Sequence, residues 1–297
     1  MTPLSANSPL NSQRGRRRAA AVALCAAALA VIAGCSTGSG SSPVSLGTAG
    51  PAGTTGTTGT ASKLTPLRAI RLAAVETQRV SSVAATFAEQ VGTAGSVNGT
   101  MQLRLKPTLL AHETLSSSIN GQSSTVEDIV SAKAVYIKEP SNPSRRPWLE
   151  VKLSNLRGSL GKSLQKLLQN VQNGNPAAQT QLFAGSRDVH KVGTQVVNGV
   201  PTTHYAGTVT ASRALSRLSP AVRKGLAPLL RLISGGIRFN VWLDDQHVTR
   251  RVVEVETVSG QTVTVTLNVT AVNQPVRITL PPRGQVRVLP ASALGGL

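Results

Sequence analysis

Two cysteines, four histidines and twelve acidic residues are nearly all that this 297-residue chain offers for covalent, metal or acid–base chemistry. Cys35 has the most informative surroundings, because it follows Val31-Ile32-Ala33-Gly34. Small residues just before it are what the cut site of a secretory leader requires. His112, His190, His204 and His247 show no H-E-x-x-H spacing, so they read as structural or surface residues. A zinc site assembled only in three dimensions stays open beside that reading. The close carboxylates are Glu127-Asp128 and Glu254 with Glu256. The latter two alternate with Val253 and Val255, which predicts a solvated strand face. Gly34-Cys35-Ser36-Thr37-Gly38 has the spacing of a nucleophile elbow but straddles the cut, away from any strand-to-helix turn. No phosphate-binding glycine loop is present. We expect no enzyme, no catalytic residue, no metal and no cofactor.

The elements around Cys35 explain its position. Arg14, Arg16, Arg17 and Arg18 precede the uncharged run Ala19–Ile32, the layout of a secretory leader. That run is shorter than the roughly 20 residues of a spanning helix. Ile32-Ala33-Gly34-Cys35 resembles the lipobox of bacterial lipoproteins, which implies a diacylglyceryl thioether on Cys35 and further acylation such as palmitate. Residues 1–34 are then a signal peptide, and the chain is held at the extracytoplasmic face of the cell membrane. Cys25 leaves with the leader, so the mature chain has no second thiol for a disulfide or thiolate site.

The formal charge is +19, of which the leader contributes four arginines and no acid. Lysines and arginines are scattered and aromatics make up 2% of the chain, so stacking platforms for nucleic acid are missing and we expect no nucleic-acid partner. A basic surface on an anchored protein suits anionic headgroups instead. Residues 35–62 are rich in Ser, Gly and Thr and predict a flexible tether. At roughly 5–6 Å times the square root of residue number, about 27 residues reach near 30 Å.

Residues 63–290 predict one folded domain, with 291–297 a tail. Thr65 and Pro66 begin a helix with a Leu67, Ile70, Ala74, Val75 stripe. Alternating runs predict strands near 84–91, 101–106, 109–117, 124–130, 135–138 and 148–153, then 189–197, 202–209, 237–243, 249–257 and 261–270. Asn120-Gly121 and Asn198-Gly199 are hairpin turns. Two leucine-rich helical insertions interrupt the strands, 156–171 and 212–233. The second suits either a helix packed on the sheet or one docked on anionic lipid through Arg217, Arg223, Lys224 and Arg231. The fold class is α+β, a long curved antiparallel sheet with helices over its concave face.

Asn198-Gly199-Val200-Pro201-Thr202-Thr203-His204-Tyr205-Ala206-Gly207 resembles a stretch of the LppX/LprA/LprG lipoproteins. Trp242-Leu243-Asp244-Asp245 with Thr249-Arg250-Arg251 is similar to that family's following hairpin. The resemblance covers roughly residues 64–285 and implies a half-barrel of the LolA type. It further implies an apolar cavity for the acyl chains of a lipid or lipoglycan, carried within the cell envelope with the help of an envelope transporter or other envelope protein. The positions expected to line the cavity are Leu103, Leu105, Val263, Val265, Leu267 and Val269 on the sheet, with Leu164, Leu168, Leu226 and Leu230 from the insertions. The alternative is an interaction or signalling lipoprotein of RseB type, whose half-barrel serves a protein partner.

Overall fold

The computed structural model describes residues 64–138, 145–155, 178–218 and 230–290, together with Pro220, Arg223 and Ala227. Gly34, Cys35, the leader, the tether, Leu164, Leu168, Lys224, Leu226 and the tail lie outside the described residues. Within them the chain runs α1 (Pro66–Thr77), β1 (Ser82–Val91), β2 (Gly95–Arg104), β3 (Leu110–Ile119), β4 (Gln122–Ser131), β5 (Ala134–Lys138) and β6 (Trp148–Lys152). It continues with α2 (Ala178–Phe183), β7 (His190–Val197), β8 (Val200–Val209), α3 (Ala211–Ser216), β9 (Ile233–Leu243), β10 (Thr249–Val258), β11 (Gln261–Val272) and β12 (Val286–Val288). All twelve strands form one sheet in the order β12-β6-β5-β4-β3-β2-β1-β11-β10-β9-β8-β7. The fold is an α+β curved half-barrel.

Short connections dictate antiparallel neighbours. Asn120 (φ 50°) with Gly121 (φ 75°) closes β3 onto β4, and Asn198 (φ 49°) with Gly199 (φ 78°) closes β7 onto β8. Both pairs have the positive φ that a two-residue hairpin turn needs. The Asn198 amide also donates to the Val269 carbonyl at 3.0 Å, tying the tip of an edge hairpin to β11, three strands away from β8 in the sheet order. That bond shows how strongly this end of the sheet curls.

Three expectations need correction. The insertion expected to be helical through Ile233 ends sooner, since Ile233 is the first residue of β9. Gly235 (φ 74°) and Gly236 (φ 93°) then irregularly bend that strand. An all-antiparallel sheet was expected, yet β12 pairs with β6 in parallel, through Val286–Trp148 to Val288–Glu150. In α1, Ile70 and Ala74 are buried as expected, but Ala69 and Ala73 complete the buried face while Val75 is 46% exposed. Alanines there let the helix approach its neighbours closely.

α1, α2 and α3 pack on one another and against β7, β8 and β9. Their core is Ile70, Phe183, Val209, Ile237, Phe239 and Val241, with the Phe183 and Phe239 rings stacked at 4.3 Å. A second cluster fills the other half of the same face, with Met101, Leu103, Leu105, Leu109, Ala111, Val130 and Val135. Leu267 touches both clusters. No described helix is long and apolar enough to cross a membrane.

Candidate functional site: the inner face of the half-barrel

Strand register assigns each side chain to a face, because paired residues point the same way and alternate residues point oppositely. The helix-packed face is the inner one. One row across it reads Tyr205, Val241, Val252, Leu267, Phe87, Gly99, Leu115, Val126. The next row reads Val269, Ala85, Met101, Glu113, Asp128, Ile137. On the other side of the first lie Phe239, Glu254, Val265, Glu89, Val97 and Ser117. Phe87, Leu267, Val265 and Val126 are only half-buried; Leu267 touches both core clusters, and Phe87 packs on a small third one of Val97 and Leu115.

All six expected sheet positions fall on this face. Leu103, Leu105, Val263 and Val269 are buried, and Val265 and Leu267 are half-buried. Leu103 and Leu105 belong to the second cluster, while Leu230 lies in the helix-packed one, so the structure separates these two groups. Leu267 is the residue that joins them. Leu105 lies just beyond the end of β2, where a strand was expected to continue.

Glu254 and Glu256 are corrected from a solvated face to this inner one. Val252 and Glu254 pair with Leu267 and Val265, and that register turns the glutamates inward. Glu254 is buried and has a partner. Burial raises the Glu89 carboxyl above its ordinary range, and burial followed by repulsion from Glu89 raises Glu256. Five of the twelve acids, Glu89, Glu113, Asp128, Glu254 and Glu256, thus share the inner face. The paired positions of β1 to β5 and β9 to β11 put no lysine or arginine there. Arg104, Lys138, Arg238 and Arg251 all register on the outer face.

Composition could not show the next feature. Glu113 and Asp128 face each other across β3 and β4 and are 2% and 4% exposed. Both Glu113 carboxyl oxygens and Asp128 Oδ1 lack a hydrogen-bond partner among the described residues. Burial and then the nearby Asp128 push Glu113 well above the ordinary carboxyl range. Burial and then Glu127 push Asp128 from 3.8 to about 7. The sequence signal was faint: one acid in each of two alternating strands, in phase with valine and leucine.

The histidines are dispersed, and no group of three metal-ligating side chains occurs among the described residues. His112 Nε2 lies 3.2 Å from Glu127 Oε1, and Lys138 Nζ donates to Glu127 Oε2 at 2.6 Å. His204 stacks on Trp242 at 4.1 Å, with Arg251 5.0 Å above that indole. The residues carrying the family resemblance serve the architecture. Gly207 leaves room for Phe239, whose ring would lie 2.8 Å from a Cβ added there. Asp244 accepts from the Gln246 and Val248 amides and from Arg250 Nε at 2.8 Å, closing the β9–β10 turn. An open groove of about 430 Å³ lies at the β7–β8 edge between Thr194 and Asp245. It is lined by Val196 and Pro201 beside threonines and aspartates and is open to solvent, so it would not enclose an acyl chain.

No family model matches the chain. An uncharacterized 31.2 kDa protein of Streptomyces griseus is 29% identical over 108 residues, about a third of each chain. Among solved structures, the chain is similar to the Mycobacterium tuberculosis lipoprotein LppX, at TM-score 0.46 and 20% identity over 72% of this chain and 98% of that one. It is similar to LprF of Mycobacterium bovis at TM-score 0.44 and 15% identity, covering 73% and 96%. It is also similar to the Pseudomonas aeruginosa MucA/MucB complex at TM-score 0.32 and 13% identity, over 70% of this chain and 56% of that one.

Proposed function

We propose that this is an anchored extracytoplasmic lipoprotein that holds the acyl chains of a lipid on the inner face of its half-barrel and carries it within the envelope. The observation that supports this reading is the set Leu267, Phe87, Val265 and Val126, apolar and only half-buried on the inner face of an open sheet. Each acyl methylene withdrawn from water there stabilises the complex by about 0.8 kcal/mol. Two or three chains bind tightly on that scale, so release requires a membrane or a partner protein. Cys35 acylation and the tether would keep the domain within reach of headgroups, and the basic outer face suits an anionic surface.

Two experiments test this reading. Mass spectrometry of the extract from purified full chain should find a lipid at near-stoichiometric amount; a lipid-free chain that binds no acyl probe contradicts it. The Cys35→Ala variant should remain unprocessed or appear in the medium. An unacylated mature chain beginning elsewhere overturns the anchor.

A further inference from the structure

Of the acids on the inner face, Glu113 and Asp128 stand apart because oxygens of both are buried and unmet among the described residues. Glu113 and Asp128 sit in register on adjacent strands, in the row Val269, Ala85, Met101, Glu113, Asp128, Ile137. Two residues along each strand is about 7 Å, so the pair lies one row from Leu115 and Val126 and hence beside the half-buried strip. Both side chains are more than nine-tenths buried, and three of their four oxygens have no partner among the described residues. Buried polar atoms without partners cost stability unless something meets them. Among the described strand positions, no lysine or arginine registers beside them.

We propose that Glu113 and Asp128 are the contact point for the ester and hydroxyl oxygens of an acylglycerol head, whose chains lie along the Phe87–Leu267 strip. This rests on the acyl-binding reading above and adds the polar class of the ligand. Burial raises the Glu113 carboxyl well above its ordinary range and Asp128 to about 7, which favours their protonated forms. A protonated carboxyl donates one hydrogen bond and accepts others, which suits ester carbonyls and hydroxyls. An anionic phosphate would be repelled once either group ionises, and a pure hydrocarbon leaves the oxygens unmet.

The test uses the full chain with two probes carrying the same fluorophore: a pyrene-labelled diacylglycerol and pyrenyldodecane. Wild type should prefer the diacylglycerol by about tenfold or more, the scale of one to two hydrogen bonds. The Glu113→Val/Asp128→Val variant should lose that preference and keep its affinity for pyrenyldodecane. It should also melt no lower than wild type, because both unmet groups are removed together. Glu113→Gln/Asp128→Asn, which still donates and accepts, should stay within about threefold of wild type. Should the valine pair not fold, wild-type discrimination and the single Glu113→Val variant decide. Equal binding of both probes by wild type, or undiminished diacylglycerol preference without the carboxyls, overturns this inference alone. Failure of wild type to bind either probe overturns the acyl-binding reading as well.

Discussion

Glu127 and Asp128 are neighbours in sequence and opposites in environment. Glu127 points outward, where it meets Lys138 at 2.6 Å and His112 at 3.2 Å. Burial works against its charge, but hydrogen bonds from Lys138 and His112 outweigh it and hold the carboxyl below its ordinary range. Asp128 points inward, where burial drives it up to about 7. One peptide bond separates an ordinary surface ion pair from a carboxyl that the fold leaves unmet. The pleat sorts charge: among the described strand positions, Arg104, Lys138, Arg238 and Arg251 register outside, while Glu89, Glu113, Asp128, Glu254 and Glu256 register inside.

The largest effect should come from the covered end of the inner face. Phe239 is fully buried and stacked on Phe183, so Phe239→Ala should cost about 3–5 kcal/mol in chemical unfolding. Phe87→Ala, on the half-buried strip, should cost clearly less and chiefly lower the amount of bound lipid. Equal losses of stability would erase the distinction between core and binding strip.

The next effect is pH dependence. Because the folded state raises Asp128 from 3.8 to about 7, it binds more protons than the unfolded chain. The associated stability is fully present below about 4 and is lost as pH rises through about 7, on the order of a few kcal/mol. Unfolding titrations from pH 4 to 8 should show that slope, and Asp128→Asn should flatten it. A profile that instead gains stability across this range contradicts the inward assignment.

Leu267→Gln should cost about 1–3 kcal/mol through an amide set among apolar side chains, and should strip co-purified lipid. Lipid analysis and unfolding curves on the same preparation measure both. The smallest effect belongs to Glu127→Gln. Its partners are partly exposed, so screening limits the loss to about 0.5 kcal/mol. Its contribution should be present above its ordinary 4.5 and fade as pH falls below that, the reverse of Asp128. A double-mutant cycle with Lys138→Met measures it.

Strands were legible where alternation is local, as in Val263, Val265, Leu267 and Val269, and turns where Asn-Gly demands positive φ. Which face a strand buries was less legible. β10 alternates two glutamates against Val253 and Val255, and periodicity alone turns the valines inward. Pairing of Val252 with Leu267 reverses that. The Glu113–Asp128 meeting is likewise a product of β3–β4 register rather than of any motif. Ile233 looked helical because the leucine spacing before it continues through it, while the glycines that bend β9 come two residues later. β12 is three residues long and pairs in parallel with a strand more than a hundred positions earlier, which leaves no local pattern to read.

Fluorescence quenching tests the central claim most directly. Both native tryptophans, Trp148 and Trp242, register on the outer face, so wild type supplies its own control. Phe87→Trp places a third indole on the inner strip. Loading each protein with a brominated fatty-acyl chain should quench the added emission strongly and leave the native emission unchanged. Quenching of the native tryptophans, or none of the added one, would contradict an acyl chain held on the inner face.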